Sequence, residues 1–148
     1  MLLTIDVGNT NITMGVFREE VLAGMFRMTT KRPRTSDEYG FTICGILEHR
    51  GINPKEIKAV IIASVVPDIM HSLTSSIIKY LDTIPVIVSA DTDTGVKVVT
   101  DNPSRTGPDR IVNAVAGYAI AKGAAIVIDF GTATTYDLIG PDRSLEAC

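Results

Sequence analysis

Cysteine and histidine are scarce in this 148-residue chain, at two of each. Cys44 and Cys148 are too few for a disulfide framework and too far apart for a metal knuckle. His49 and His71 fall on expected helices without Cys or acidic partners at ligand spacing, so both read as surface residues. No stretch reaches the roughly 18 apolar residues of a membrane span. Met1-Leu2-Leu3-Thr4-Ile5-Asp6 has no basic leader and soon meets a carboxylate, unlike a signal peptide. Positive charge is not in excess: 14 Lys+Arg stand against 17 Asp+Glu, a net charge of −3. That excludes a protein holding nucleic acid by bulk charge. A Gly-x-x-x-x-Gly-Lys-Ser/Thr phosphate loop and a Gly-x-Ser-x-Gly nucleophile elbow are also missing. The rest, 45% apolar and 21% charged, is ordinary globular composition. A soluble, cytoplasmic chain of one domain, or of one domain and part of another, is expected.

The hydrophobic pattern changes period along the chain. Leu2 to Ile5, Ile12 to Phe17 and Val21 to Met28 read as three closely spaced strands, favouring an antiparallel meander. Lys31-Arg32-Pro33-Arg34 is a basic cluster that reads as a solvated turn. Thr35-Ser36-Asp37-Glu38 fits a capping box. Behind it Tyr39, Ile43, Ile46 and Leu47 share one helix face, with Gly51 as the stop. Ala59 to Ala63 is a buried-strand run, and Pro67 opens a helix presenting Met70, Leu73, Ile77 and Leu81. Pro85 to Val88 is a short strand, and residues 89–106 read as a loop or linker. A third helix is expected over about 109–122, stopped by Gly123, before a strand at Ala125 to Ile128. This order specifies an α/β layer architecture with a mixed sheet.

The chain also repeats itself. Ile5-Asp6-Val7-Gly8-Asn9-Thr10-Asn11 shares an Ile-Asp-x-Gly core with Ile128-Asp129-Phe130-Gly131-Thr132-Ala133-Thr134, 123 residues later, like the opening of a duplicate domain. A strand–Asp–x–Gly–polar turn can place backbone N–H groups and Asn or Thr side chains on phosphate oxygens. Its Asp would repel phosphate directly and must act through a cation such as water-clad Mg²⁺. Two such turns facing each other could clamp a polyphosphate, whereas either alone is also a routine hairpin signal. At the third helix, Gly107-Pro108-Asp109-Arg110 offers a carboxylate able to take a proton from a hydroxyl and a guanidinium able to fork an anion. The simpler reading is an Asp in a first helical turn beside a solvated Arg. Gly140-Pro141-Asp142-Arg143 repeats the tetrapeptide without a helical pattern behind it.

In their order and spacing, Asp6 to Asn11, Gly107 to Arg110 and Asp129 to Thr135 resemble type III pantothenate kinases, of the actin-like ATPase superfamily. The resemblance implies a ribonuclease H-like α/β domain, with a mixed β-sheet and flanking helices, over residues 1–106 including the linker. Residues 107–148 would then hold the substrate-motif helix and the incomplete start of a second, duplicate domain. It implies ATP-dependent phosphorylation of pantothenate, the first step of coenzyme A synthesis, by a homodimer using Mg²⁺ and K⁺ or NH₄⁺. ATP would lie on Asp6, Val7, Gly8, Asn9, Thr10, Asn11, Ile12, Thr13 and Thr132, with Mg²⁺ at Asp6 through water. Gly107, Pro108, Asp109 and Arg110 would bind pantothenate, Asp109 acting as base on its primary hydroxyl. Asp129 would hold the monovalent cation. Thr100 stands where the family usually has an aromatic residue. The chain matches only the first half to three-fifths of a usual member, so an open sheet edge and uncovered apolar faces are expected. A non-catalytic regulatory member is the alternative, and a related sugar or acetate kinase a weaker one.

Overall fold

The computed structural model describes residues 1–30 and 33–148; Lys31 and Arg32 of the basic cluster lie outside the described residues. The chain forms two compact units, Met1–Ile87 and Val88–Cys148.

In the first unit, β1 (Leu2–Val7), β2 (Asn11–Arg18) and β3 (Val21–Thr29) make the expected antiparallel meander. β4 (Ala59–Ser64) runs parallel beside β1, and β5 (Val86–Ile87) parallel beside β4, giving the mixed order β3-β2-β1-β4-β5. Alternation along the strands sends Leu3, Ile5, Val7, Ile12, Met14 and Val16 into one core. Helices α1 (Ser36–His49) and α2 (Pro67–Leu81) supply Tyr39, Ile43, Leu47, Leu73 and Ile77 to the same core. Each fully buried aliphatic side chain there contributes about 1.5–3 kcal/mol.

The helix ends follow from the sequence. The backbone N–H of Thr35 donates to Glu38 Oε2 at 2.7 Å, and the N–H of Glu38 donates back to Thr35 Oγ1 at 3.3 Å, completing the capping box. Gly51 takes the left-handed φ of 72° that ends α1's exit turn. α1 and α2 cross closely at Gly40, where a Cβ would come within 2.1 Å of the Tyr80 ring. Alongside that crossing, Asp37 accepts from Lys79 Nζ at 2.5 Å and from the Tyr80 hydroxyl at 2.7 Å.

In the second unit, β7 (Ala125–Phe130), β8 (Thr134–Ile139) and β9 (Ser144–Ala147) form another antiparallel meander. β6 (Lys97–Val98) runs parallel beside β9, so the order is β6-β9-β8-β7. Helix α3 (Pro108–Ala121) packs through Ala114 and Tyr118 against Ile139, Leu145 and Val127. Two local expectations change. The segment 89–106 is not wholly loop: it carries β6 and a short 3₁₀ turn at Pro103–Arg105, because its partner strand lies over 40 residues onward and no local period signals that pairing. Residues 88–106 lie within the second compact unit. α3 ends at Ala121, and its C-cap Lys122, in the left-handed region at φ 56°, takes the stop expected of Gly123.

Gly140-Pro141-Asp142-Arg143 is the turn between β8 and β9, not a helix start. Its Asp142 is held by the Ser144 N–H and hydroxyl at 3.2 and 2.6 Å. No helix among the described residues is long and apolar enough to cross a membrane.

Candidate functional site

The first Asp-x-Gly turn joins β1 to β2. Asp6 and Thr13 lie directly opposite each other in the ladder, and Val7 pairs with Ile12. Val7 and Ile12 are buried anchors, so the intervening Gly8, Asn9, Thr10 and Asn11 must form the turn. The N–H of Gly8 donates to Asn11 O at 2.9 Å, closing it. A Cβ on Gly8 would meet that oxygen at 3.3 Å, which gives the glycine a steric reason without a positive φ. Thr30 braces the turn from the end of β3: its hydroxyl donates to Gly8 O at 2.7 Å and its N–H to Thr10 O at 2.9 Å. Asp6, Asn9 and Thr10 are exposed around this fixed backbone. The turn can therefore offer polar side chains at a strand end without strain elsewhere.

The second turn has the same plan with one residue fewer. Asp129 lies opposite Thr135, Phe130 pairs with Thr134, and the N–H of Gly131 donates to Ala133 O at 3.1 Å. Thr132 sits exposed at its tip. Magnesium takes one or two protein carboxylates and keeps several waters, so the exposed Asp6 suits it. Asp129, the corresponding acid of the second turn, is half-buried. Among the described residues no group of three or more His, Cys, Asp or Glu forms a ready cage, so a cation there would share its shell with water or phosphate oxygens.

Gly107 is the N-cap of α3 and Pro108 its first residue, which starts the helix without a side-chain cap. Arg110 N–H bonds Gly107 O at 3.0 Å and Asp109 Oδ1 at 3.0 Å. Asp109 and Arg110 are not a solvated pair. Their side chains are 24% and 18% exposed, and Arg110 Nη2 lies 3.0 Å from Asp109 Oδ2. Ahead of the motif, the hydroxyls of Thr100 and Thr106 meet at 2.8 Å. The residue at the usual aromatic position thus pins the loop leading into Gly107 by a polar contact.

Thr135 closes the second Asp-x-Gly motif read from the sequence, and two further residues beside it, Asn113 and Asp137, do not belong to any of the three motifs. The guanidinium of Arg110 donates through Nη1 to Thr135 Oγ1 and lies 3.8 Å from Asp137 Oδ2. Asn113, one turn along α3, donates to the same Asp137 oxygen at 3.2 Å. Asp137 is fully buried, and burial pushes its carboxyl above the ordinary range, against the opposing pull of Asn113 and Arg110. Its sequence signal was available: Thr135 and Asp137 are the polar members of an alternating strand whose next inward residue is Ile139. The same inward face carries Ala125, Val127 and Asp129 on β7, so the layer under α3 grades from apolar to polar toward the turn. His49 and His71 are exposed, as read from the sequence.

The pattern describing the type III pantothenate kinase family matches residues 2–147. A type III pantothenate kinase of Agathobacter rectalis is 52% identical over 139 residues, covering 94% of this chain and 54% of the relative. One from Listeria innocua is 47% identical over 136 residues, covering 92% and 52%. The chain thus spans about half the length of the curated relatives it matches. Among solved structures, a ROK hexokinase from Thermus thermophilus aligns over 96% of this chain and 47% of its own, at 12% identity and a TM-score of 0.50. A reductive activator for a corrinoid, iron-sulfur protein aligns over 95% and 29%, at 14% identity and a TM-score of 0.59. Those likenesses show a shared α/β fold. Family pattern, identity and the placing of all three motifs at strand or helix ends converge: the chain belongs to the type III pantothenate kinase family.

Proposed function

We propose that the protein of which this chain carries the motifs phosphorylates pantothenate at its primary hydroxyl with ATP, giving 4′-phosphopantothenate and ADP, the first step of coenzyme A synthesis. The observation that carries the reading is the half-buried Asp109–Arg110 pair at the first turn of α3. Asp109 would accept the proton as the hydroxyl oxygen bonds to the γ-phosphorus and the bond to ADP breaks. Arg110 would hold the substrate's carboxylate by charge-assisted hydrogen bonds, while Gly107 and Pro108 shape the approach. Asp6 to Thr13 and Thr132 would receive the ATP phosphates through N–H, amide and hydroxyl donors. Magnesium at Asp6, when bound, supplies charge neutralisation on the phosphates, and K⁺ or NH₄⁺ would lie at Asp129. A cytoplasmic homodimer is part of the same reading.

The test is pantothenate-dependent ADP release, with Mg²⁺ and K⁺ or NH₄⁺, beside Asp109→Asn. Loss of a general base lowers turnover by about 10²–10⁴-fold, and ATP affinity should change little. Equal losses in turnover and ATP binding would remove the base assignment. A folded chain that binds neither substrate would refute the reading for this chain.

A further inference from the structure

Arg110 is gripped from both sides. Its Nη2 end faces Asp109 on α3 at 3.0 Å, and its Nη1 end faces Thr135 and Asp137 on β8, the latter at 3.8 Å. Asp137 is itself tied to α3 by Asn113 at 3.2 Å. The result is an alternation of negative, positive and negative groups running from the helix start into the hairpin. Asp137 has no exposed surface, and among the described residues its second oxygen, Oδ1, has no hydrogen-bond partner. A buried carboxylate is costly, and an acid retained only for packing would have both oxygens paired. A neutral residue of the same shape would fill the space under α3 equally well.

We propose that Asp137 is a positioning residue: its carboxylate fixes the Arg110 guanidinium in the orientation that faces Asp109 and the pantothenate carboxylate. The substrate half of this statement rests on the pantothenate reading above; the clamp on Arg110 does not. Asp137 acts without touching substrate. It removes the rotational freedom that a long guanidinium side chain otherwise has, so less order is lost when an anion binds.

Side-chain ¹⁵N NMR of Arg110 in the 148-residue chain tests this, with Arg110→Lys assigning the signals. The clamp slows rotation about Cζ–Nη, so separate Nη–H resonances are expected in the parent chain. Asp137→Asn keeps the shape and removes the charge, and the resonances should merge; Asp137→Glu should restore part of the separation. If Asp137→Asn does not fold, Asn113→Ala loosens the same carboxylate from the helix side, and merging there carries the same meaning. Unchanged, separate Arg110 resonances in a folded Asp137→Asn or Asn113→Ala chain overturn the proposal. Calorimetric pantothenate binding is the second arm, expected to weaken on the order of tenfold in Asp137→Asn with ATP binding unchanged. Merged resonances with no pantothenate binding even by the parent chain would uphold the clamp and sink the substrate reading. Equal weakening for both ligands would mark Asp137 as a structural support only.

Discussion

The two Ile-Asp-x-Gly hairpins share a sequence pattern and an antiparallel ladder, the second closed by a turn one residue shorter, yet each is covered on the opposite face. In the first, Leu3, Ile5 and Val7 point into the core and Asp6 lies on the other side of the sheet. In the second, the corresponding Ile126, Ile128 and Phe130 are exposed, and Asp129 is on the face that packs under α3. β1 is paired on both edges, by β2 and β4, whereas β7 is the last strand of its sheet. The same alternation therefore performs two tasks. The first hairpin buries its apolar side and leaves its acid accessible. The second has its acidic side organised by a helix, with Asp109, Arg110 and Asn113 above Thr135 and Asp137. Local sequence dictates which residues share a face; the packed element decides which face becomes the interior.

The sharpest way to break this comparison is to substitute the matching isoleucines. Ile5 is 2% exposed and Ile128 47% exposed. Ile5→Ala should cost about 2–5 kcal/mol through lost burial and a cavity. Ile128→Ala should cost about 0.5 kcal/mol or less, as at other surface positions. Denaturant unfolding of the two variants reads the difference, and equal losses would mean that the second hairpin is covered as the first is.

Next in size is the helix contact peculiar to the second hairpin. A Cβ on Gly117 would lie 2.4 Å from Val127 Cγ2 and 2.8 Å from Ile139 Cδ1. Gly117→Ala should cost about 1–3 kcal/mol by overpacking and tilt α3, which bears Asp109 and Arg110 at its other end, against the hairpin. A lowered Tm and shifted Arg110 side-chain signals together would show both effects. An unchanged Tm would mean that α3 is not seated where Gly117 places it.

A smaller effect is expected from the cap of α1. Thr35→Ala removes the reciprocal bonds with Glu38 and should cost about 0.5–2 kcal/mol, readable by thermal unfolding. α3 has no side-chain cap at Gly107, so Gly107→Ser tests whether a cap can be added there without disturbing Asp109.

The smallest effect concerns pH, and the two units differ in sign. Hydrogen bonds from Lys79 and Tyr80 hold exposed Asp37 below the ordinary carboxylate range. Its stabilisation is present above the unfolded value and disappears as pH falls through the lower folded value. Asp137 is raised instead, chiefly by burial, so the native state binds its proton more readily than the unfolded chain. Its destabilising contribution at neutral pH is relieved as pH falls through the raised folded value. Tm measured against pH should show Asp37→Asn flattening the acid loss, and Asp137→Asn removing an acid-side gain. Identical profiles for the two variants would contradict the opposed environments.

Much of this was readable before any coordinates. The capping box at Thr35, the α1 face of Tyr39, Ile43 and Leu47, and the three-strand meander are short-range patterns, and each appears where its period places it. The positions of Gly8, Gly107 and Gly131 at turns or a helix start were equally local. β6 was not legible, because a two-residue strand exists only by virtue of β9 far along the chain. Asp137 and Asn113 were not recognised, because alternation marks Asp137 as inward-facing but only the packing of α3 on β8 brings it to Asn113 and Arg110.

By itself, then, the sequence determined the longer helices and strands, the alternation of their faces, the duplicated Asp-x-Gly turns and the family. Those properties depend on neighbours within a few residues, where backbone geometry and side-chain period govern. Tertiary structure alone decided that the Ile face is interior in one hairpin and the Asp face in the other. It alone converted Arg110 from a surface charge beside Asp109 into a guanidinium held between two carboxylates. Burial and electrostatic pairing depend on distance in space, and residues 110 and 137 become neighbours only after α3 docks on β8.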